Sequence, residues 1–561
     1  MIKRIGRIPR TIRNIKRYNQ ILSVLIKHGL GDFLTYTNVY KVIGLSRTFL
    51  FRHKPSKSLS RWERIRIAIE ELGPTFIKFG QILSNRPDVI PMALLKELEK
   101  LQQQVPPFPA DESIELIERE IGKKLEDAFS YFDPVPIASA SIAQVHEARL
   151  KDGTRIVVKV QRPKIKKRIE TDLQIMGHLA QLIKKQLPDF QHIDPQSVVD
   201  EFAQTIRKEL DFNIEASNIE RFSKNFLNDK RLIVPKVYKE FSTKKILTME
   251  FIDGTSIKNI DLLIQNGCDP KKIVSLGTDL VLKQIFKFGF FHADPHPGNV
   301  FILKDNLFCF LDYGMMGNLL PRHREYLANY IIAFYNKDVS SLARIILELT
   351  QTQDHVNIEE FERKVSELMD QFLYLPLREI DMGEVLSKTL EIVVQFKLKP
   401  PSVFYLLVKA LVTIEGIARS IDPDFIMLDR LKLYAKKLLK EQFNPARLMK
   451  RYMKTAIEFD QLLRELPSSA REIISQAKNG KMKFAIEPSG FDQFYHKNDQ
   501  ISNRIAFSLV LSSLIIGSSL MVLAKIPPFY YGVPVIGLIG FIFAGCLALW
   551  LFVSILKSGR F

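Results

Sequence analysis

The spacing of apolar positions divides the chain into stretches of different period. Residues 62–104 carry apolar side chains at helical spacing, interrupted at Gly80 and stopped at Val105-Pro106-Pro107-Phe108-Pro109. Residues 114–121 predict a short amphipathic helix. From about residue 131 to residue 160 the period changes to alternation. Val145, Ala148 and Leu150 precede Lys151-Asp152-Gly153, and Ile156, Val157, Val158 and Val160 follow it. An Asp-Gly turn between two such runs predicts a β-hairpin. Helices are expected over 171–185 and 195–222, and strands over 234–237 and 246–251. From Asp253-Gly254 to about residue 478 the pattern is mostly helical. The outline is a small mixed lobe followed by a larger helical one, without internal repeats.

The two ends differ from this body. Residues 1–31 hold eight Lys or Arg and no acid, with Ile5, Ile8, Ile12 and Ile15 recurring on one helical face. Two readings stand side by side: a basic amphipathic helix lying on anionic lipid, or a solvated helix docked on its own domain. No apolar core or small-residue cleavage site follows, which excludes a secretory signal. Residues 505–524 and 535–556 are uncharged runs of twenty and twenty-two residues, each long enough to cross a bilayer. Arg504, Lys557 and Arg560 flank the outer ends, and only Lys525 lies in the connection. The positive-inside rule then predicts a multi-pass protein of the cell inner (cytoplasmic) membrane whose preceding 500 residues face the cytoplasm. Ser513xxxGly517 and Gly540xxxAla544 are small-residue pairs suited to packing the two spans together or against a second copy, so a homodimer is among the partners considered.

Composition sharpens the choice of partner. At 561 residues the chain is too long for one core, and 46% hydrophobic with 25% charged residues is an ordinary globular balance. A net charge of +19 calls for a polyanion. With apolar runs at the C-terminus, an anionic membrane lipid surface explains it better than nucleic acid, for which neither zinc-finger spacing nor interleaved aromatic and basic residues are present. Three scattered cysteines, Cys268, Cys309 and Cys546, exclude a disulfide scaffold and a cysteine zinc site.

Four polar clusters stand out. Lys159 ends the apolar strand Ile156-Val157-Val158-Lys159, an expensive placement unless an anion meets it. Glu209-Leu210-Asp211-Phe212-Asn213-Ile214-Glu215 is an acidic run on a predicted helix. His292-Ala293-Asp294-Pro295-His296-Pro297-Gly298-Asn299 is too rich in proline for a helical HxxxH metal site, and its two histidines read as loop-stiffening or hydrogen-bonding residues. It does contain Asp-x4-Asn, the spacing by which kinases place a substrate-hydroxyl Asp and a metal-holding Asn. Thirteen residues after Asn299, Phe310-Leu311-Asp312-Tyr313-Gly314 forms a DFG-like turn, with a hairpin over 300–311 between. In this order the clusters fit phosphoryl transfer from a nucleoside triphosphate. Mg²⁺ is held by Asn299 and Asp312, Lys159 neutralises phosphate charge, and Asp294 orients or deprotonates the acceptor.

At this point the chain resembles a known family, the UbiB or AarF-domain group of atypical protein-kinase-like ATPases linked to ubiquinone biosynthesis. The motifs are Lys78-Phe79-Gly80-Gln81 (KxGQ), an alanine-rich loop at Ala138-Ser139-Ala140-Ser141-Ile142-Ala143-Gln144-Val145-His146, and Glu209-x-Asp211 (ExD). The resemblance implies an α+β, bilobal protein-kinase-like fold with a helical N-terminal extension over the active site and a C-terminal transmembrane helix hairpin. It implies ATP or ADP with Mg²⁺ as cofactors, bound by the loop from Ile137 to Val145, by Lys159 and by Glu215 as its αC partner. Lys78 and Gln81 would reach toward Glu209 and Asp211. Prenylated quinone precursors or quinone-biosynthesis proteins would be the partners. The expected organisation is a basic segment (1–60), the KxGQ extension (61–110), an N-lobe with inserted helices (111–252), a helical C-lobe (253–480), a linker (481–504) and two membrane helices (505–556).

Departures from ordinary protein kinases matter. Ala138-Ser139-Ala140-Ser141 stands where a glycine-rich loop would wrap the phosphates, and alanine resists positive φ. After Gly314 the chain enters a helical pattern at Pro321 with no activation segment. A membrane-anchored Mg²⁺-dependent ATPase or small-molecule kinase is the leading expectation. The alternatives are a nucleotide-sensing, non-catalytic scaffold for lipid biosynthesis and a genuine protein kinase.

Overall fold

The computed structural model describes residues 15–30, 59–84, 86–101, 105–186, 194–350, 356–376, 378–442, 460, 478, 492–525, 527–530 and 532–557. They divide into two units, Met1–Met449 and Lys450–Phe561, each described by itself.

The first unit begins with α1 (Ile15–Lys27), which is docked on its own domain. Tyr18, Ile21, Leu22 and Val24 are buried, and Arg17 Nε donates to Asp172 Oδ1 at 2.7 Å. The apolar face of residues 15–27 is therefore spent on protein and is not available to lipid. Residues 1–14, with most of the isoleucine stripe, lie outside the described residues.

The extension is α2 (Arg61–Leu72), α3 (Pro74–Leu83) and α4 (Met92–Leu98). Its break falls at Gly73-Pro74 and not at Gly80. Ser60 and Glu63 form a capping box that starts α2, and Pro74 starts α3 because a helix needs no N–H donor at its first position. Gly80 continues α3, and a Cβ there would lie 2.5 Å from Leu101 Cδ1, so the glycine serves close packing and leaves the helix intact.

The N-lobe opens with α5 (Ala110–Ile121) and the single turn α6 (Leu125–Ala128). Its antiparallel sheet runs in the order β1 (Phe129–Phe132), β3 (Ala143–Leu150), β4 (Arg155–Gln161), β6 (Ile246–Glu250), with β2 (Ala138–Ser139) paired to β3. The register sets Val145 opposite Lys159. Alternation sends Ile156, Val158 and Val160 into a core with Leu116 and Ile117, leaving Val157 and Lys159 on the opposite face. Of residues 234–237 only Val237 joins the sheet, by a single bridge to Met249; a short strand β5 (Leu232–Ile233) lies just before them. Between β4 and β5 come α7 (Ile165–Gln186), α8 (Pro195–Glu209) and α9 (Phe212–Asn225). The expected single helix over 195–222 is two. Asp211 accepts the Asn213 N–H at 3.1 Å and caps a new helix, as a short carboxylate does at an N-terminus.

The C-lobe holds β7 (Thr255–Ser256), α10 (Ile260–Gln265), α11 (Pro270–Leu282), β8 (Phe290–His292), β9 (Val300–Ile302), β10 (Phe308–Phe310) and β11 (Met316–Asn318). Then follow α12 (Pro321–Tyr335), α13 (Val339–Thr350), α14 (Ile358–Leu373), α15 (Met382–Gln395), α16 (Val403–Ile421) and α17 (Met427–Gln442). The sheet order β5-β10-β9-β7 and the pair β8-β11 carry the polar loops on a large apolar core.

In the second unit α18 (Asp492–Leu523) and α19 (Val535–Lys557) pack on one another, Gly540 lying against Ser518 and Ala544 buried. The close contact thus uses Ser518 and not the expected Ser513/Gly517 pair; Gly517 has no neighbour where its Cβ would be. Among the described residues one helix, over Ile505–Leu523, is long and apolar enough to cross a membrane. Within α19 the described residues give a shorter apolar helix, Val535–Trp550, so a second span, and with it the multi-pass topology expected from sequence, is not supported.

Gly317 offers a direct test of the β8–β11 pairing. It sits opposite Phe291, whose fully buried ring would lie 2.2 Å from an added Cβ. Gly317→Ala is expected to lower unfolding free energy by about 1–3 kcal/mol. A denaturant midpoint equal to the parent's would contradict this packing.

Candidate functional site

Lys159 is a largely buried charge on the inner face of β4. Its Nζ lies 2.8 Å from each Glu215 carboxylate oxygen, and the two side chains are 15% and 6% exposed. Glu215 is placed by the Asp211 cap, which starts α9 and puts residue 215 in its first turn, facing the sheet. Asp312 Oδ1 is 3.9 Å from Lys159 Nζ. Burial opposes the Lys159 charge, but Asp312 and Glu215 outweigh it and raise its pKa above the usual lysine value. Asp312 is held low, at about 2, first by Lys159 and also by the Gly314 N–H that its Oδ1 accepts at 2.9 Å.

The hairpin β9–β10 brings Asn299 and Asp312 to one end, with the Leu311 N–H donating to the Asn299 carbonyl at 3.0 Å. Asn299 Nδ2 donates to the Asp294 carbonyl at 3.3 Å, which turns its amide oxygen to other use. Asp294 is steadied by His292, whose Nδ1 accepts its N–H at 3.3 Å. Burial keeps the His292 pKa below its usual value and the ring neutral. His296 Nδ1 accepts the Gly298 N–H at 3.1 Å. Both histidines therefore act on loop backbone.

The donor set fits a hard divalent cation. Asn299 and Asp312 offer amide and carboxylate oxygens, the ligands Mg²⁺ takes when phosphates and water complete its shell. Glu209 Oε2 is buried without a hydrogen-bond partner, a further oxygen close to the lysines.

The KxGQ and ExD residues meet only in part. Lys78 Nζ lies 2.8 Å from Glu209 Oε1, the side chains 16% and 8% exposed. Burial opposes the Lys78 charge, but Glu209, together with Asp312 and Asp294, outweighs it and raises its pKa. Gln81 instead donates to the Leu101 carbonyl at 3.3 Å, and Asp211 caps α9 with Lys244 3.8 Å away. Gln81, on the same face of α3 one turn on, is bonded to the Leu101 carbonyl, and Asp211 is taken by backbone.

The alanine-rich loop is tied down by Arg162, which donates to the Ala140 carbonyl, Ser139 Oγ and Pro106 carbonyl at 2.8–2.9 Å. Along Ile137–Val145 the side chains diverge. Ile137 and Ala138 are exposed, and Ser141 and Ala143 are buried. Val145 and the partly buried Ile142 pack inward on apolar core. Gln144 faces away from Lys159, bonding Phe108, Ser113 and His146 in the opposite core. Its side chain cannot touch a nucleotide, because β3 alternation sends it to the other face.

A cavity of about 810 Å³ opens beside these groups, walled by Leu95 of α4 and Val408 of α16, with Lys78, Asp294 and Asn299 on its border. Lys409, not singled out from sequence, also lines it and places Nζ 3.1 Å from Asp294 Oδ1. Its signal was a lone charge in the apolar run of α16, the same kind of cue that marked Lys159. Glu415 farther along α16 accepts the Met382 and Gly383 N–H groups at 3.1 and 2.7 Å and fixes α15 to α16.

Comparison with known proteins gives matches along most of the length. Residues 100–346 match an ABC1 atypical kinase-like domain, 365–426 a UbiB helical domain, and 489–557 an ABC1/UbiB kinase-like C-terminal domain. A Clostridium pasteurianum protein, "Uncharacterized protein in hydrogenase 1 5'region", is 33% identical over 97% of this chain and 99% of its own. The "Probable protein kinase UbiB" of Pseudomonas fluorescens (strain Pf0-1) is 34% identical over 82% of this chain and 87% of its own. A solved Mycobacterium tuberculosis protein, Rv3197 in complex with erythromycin, aligns with TM-score 0.40 at 25% identity, covering 62% of this chain and 92% of its own.

Removing one partner of a buried ion pair leaves the other uncompensated. Glu215→Ala is expected to lower unfolding free energy by about 3 kcal/mol, and pairing it with Lys159→Met to recover most of that loss. Denaturant melts of the two single variants and the double variant measure the coupling; additive losses would show that the two side chains do not depend on each other.

Proposed function

The chain belongs to the ABC1/UbiB family of atypical kinase-like proteins, and on that premise we propose that it is a Mg²⁺-dependent ATPase or small-molecule kinase. It would work at a membrane in support of ubiquinone, or another prenylated quinone, biosynthesis. The observation that carries this reading is the set of contacts joining Glu215, Lys159 and Asp312 and, through the neighbouring Leu311 N–H, Asn299 and Asp294. A sheet lysine paired with a helix glutamate, two oxygen ligands and a carboxylate meet there, as phosphoryl transfer requires.

The roles follow from chemistry. Lys159, held by Glu215, offers its charge to the nucleotide phosphates. Asn299 and Asp312 would hold Mg²⁺, which supplies charge neutralisation across the phosphates. Asp294 orients the acceptor hydroxyl or water and takes its proton as the phosphoryl group transfers. Two features favour a small or lipidic acceptor over a peptide. Only a few residues separate the Asp312 turn from α12, leaving no platform for a peptide, and α3 and α4 stand over the cleft beside Asp294. The cleft mixes apolar side chains such as Leu95, Leu98 and Val408 with polar ones, a lining that suits an amphipathic acceptor such as a prenylated phenol. The 505–523 helix would anchor the protein, with the catalytic unit on the cytoplasmic side.

Asp312→Asn is expected to abolish Mg²⁺-dependent thermal stabilisation by ATP or ADP while leaving the nucleotide-free protein folded; unchanged stabilisation would remove the metal assignment. Turnover with liposomes and a prenylated phenol, against Asp294→Asn, then tests the chemistry.

The anchor has its own readout. The full chain should resist carbonate extraction from membranes, whereas a chain ending before Ile505 should be soluble and still bind nucleotide. Extraction of the full chain as a peripheral protein would rule out the span.

A further inference from the structure

Phosphoryl transfer needs positive charge on the group in flight as well as on the phosphates that stay behind. The cations near Asp294 are already committed in different degrees. Lys159 binds both Glu215 oxygens on the sheet side, and Lys78 is paired with Glu209. The loop between Asp294 and Asn299 is Pro295-His296-Pro297-Gly298, and the Nδ1 of His296 is taken by a backbone N–H. The catalytic loop therefore brings no lysine or arginine of its own. Of the other lysines lining the cleft, Lys100 is paired with Glu97 and Lys258 makes no ion pair with Asp294 among the described residues, whereas Lys409 reaches in from α16 to within 3.1 Å of Asp294 Oδ1.

We infer that Lys409 is the cation for the transferring γ-phosphoryl group, parked on Asp294 while no nucleotide is bound. The reach follows from the geometry of the reaction. A general base sits about 2.6–3.2 Å from the acceptor oxygen, and that oxygen about 3–3.5 Å from the phosphorus it attacks. The phosphorus is then within roughly 6 Å of the Asp294 carboxylate, a span the four-carbon lysine stem covers by rotation. Lys409 is 35% exposed, so its head is free to move, while its neighbours Leu407, Val408, Ala410 and Leu411 are buried and hold its backbone. Glu415, two turns on, locks the same helix to α15. Glu99, at the end of α4, lines the same cleft and is the second carboxylate acting on Lys409.

Lys409 lies within the stretch matching the UbiB helical domain, outside the stretch matching the kinase-like domain. The inference gives that helical region a direct part in the chemistry. It rests on the nucleotide reading proposed above, and it makes a narrower claim: Lys409 distinguishes a triphosphate from a diphosphate.

The test uses the full-length protein in detergent with Mg²⁺, titrated calorimetrically with ADP and with a non-hydrolysable ATP analogue. Lys409→Met is expected to weaken the triphosphate analogue about tenfold or more and ADP by less than about twofold, as loss of one charge-assisted contact implies. Lys409→Arg should restore most of the triphosphate affinity, which separates a charge contact from a folding defect. Equal weakening of both nucleotides, or of neither, overturns the assignment. A parent chain that binds neither nucleotide overturns the nucleotide reading itself, and this inference with it.

Discussion

A lysine buried on the inner face of a sheet must be met by carboxylates, and the architecture of the first unit follows from meeting Lys159. Glu215 does so from α9, which ties that helix to β4. The same helix reaches the other side of the site, where Asn218 Nδ2 donates to the Tyr313 carbonyl at 2.9 Å and Phe222 packs on Tyr313 with ring centroids 5.1 Å apart. One helix therefore sets both the lysine and the turn that carries Asp312. The acidity of Asp312 depends in turn on Lys159, so cation and metal ligand prepare one another electrostatically.

A second buried pair extends this logic to the N-terminal extension. Lys78 meets Glu209 only because α3 lies close to α8, and α3 is held down where Gly80 receives Leu101. Arg86, bound to Asp88 and set over the Tyr405 ring 5.8 Å away, fastens the extension to α16. The extension is thus bonded to both lobes. A site bordered this way admits a small or amphipathic acceptor more readily than a folded protein.

The two pairs also explain why nearly every group in the site is doubly used. Asp294 is held by its N–H on His292, by its carbonyl on Asn299 and by its carboxylate on Lys409. Preorganisation of this kind spares reorganisation at the moment of transfer. It also concentrates three lysines around a few acids, where only tertiary packing decides which lysine takes which acid.

Much of the framework was legible from local signals, because those signals act within a few residues. The Asp-Gly turn, the alternation on either side of it, the spacing from Asp294 through Asn299 to Asp312 and the helix beginning at Pro321 are all short-range features, and they appear where the sequence places them. Composition and the motifs likewise determined the kinase-like family and the apolar tail. Pairing across the fold was not written locally. Whether Lys78 meets Glu209 or Asp211 depends on Asp211 being spent as a helix cap, and whether Gln144 faces nucleotide or core depends on strand alternation. That Gly80 continues its helix depends on its packing against Leu101, whereas the break at Gly73 follows from the neighbouring Pro74. Lys409 stands 115 residues beyond Asp294, and no sequence pattern joins them. Only the folding of α16 against the catalytic loop does, because charge pairing is set by distance in space and burial, and neither is a property of position along the chain.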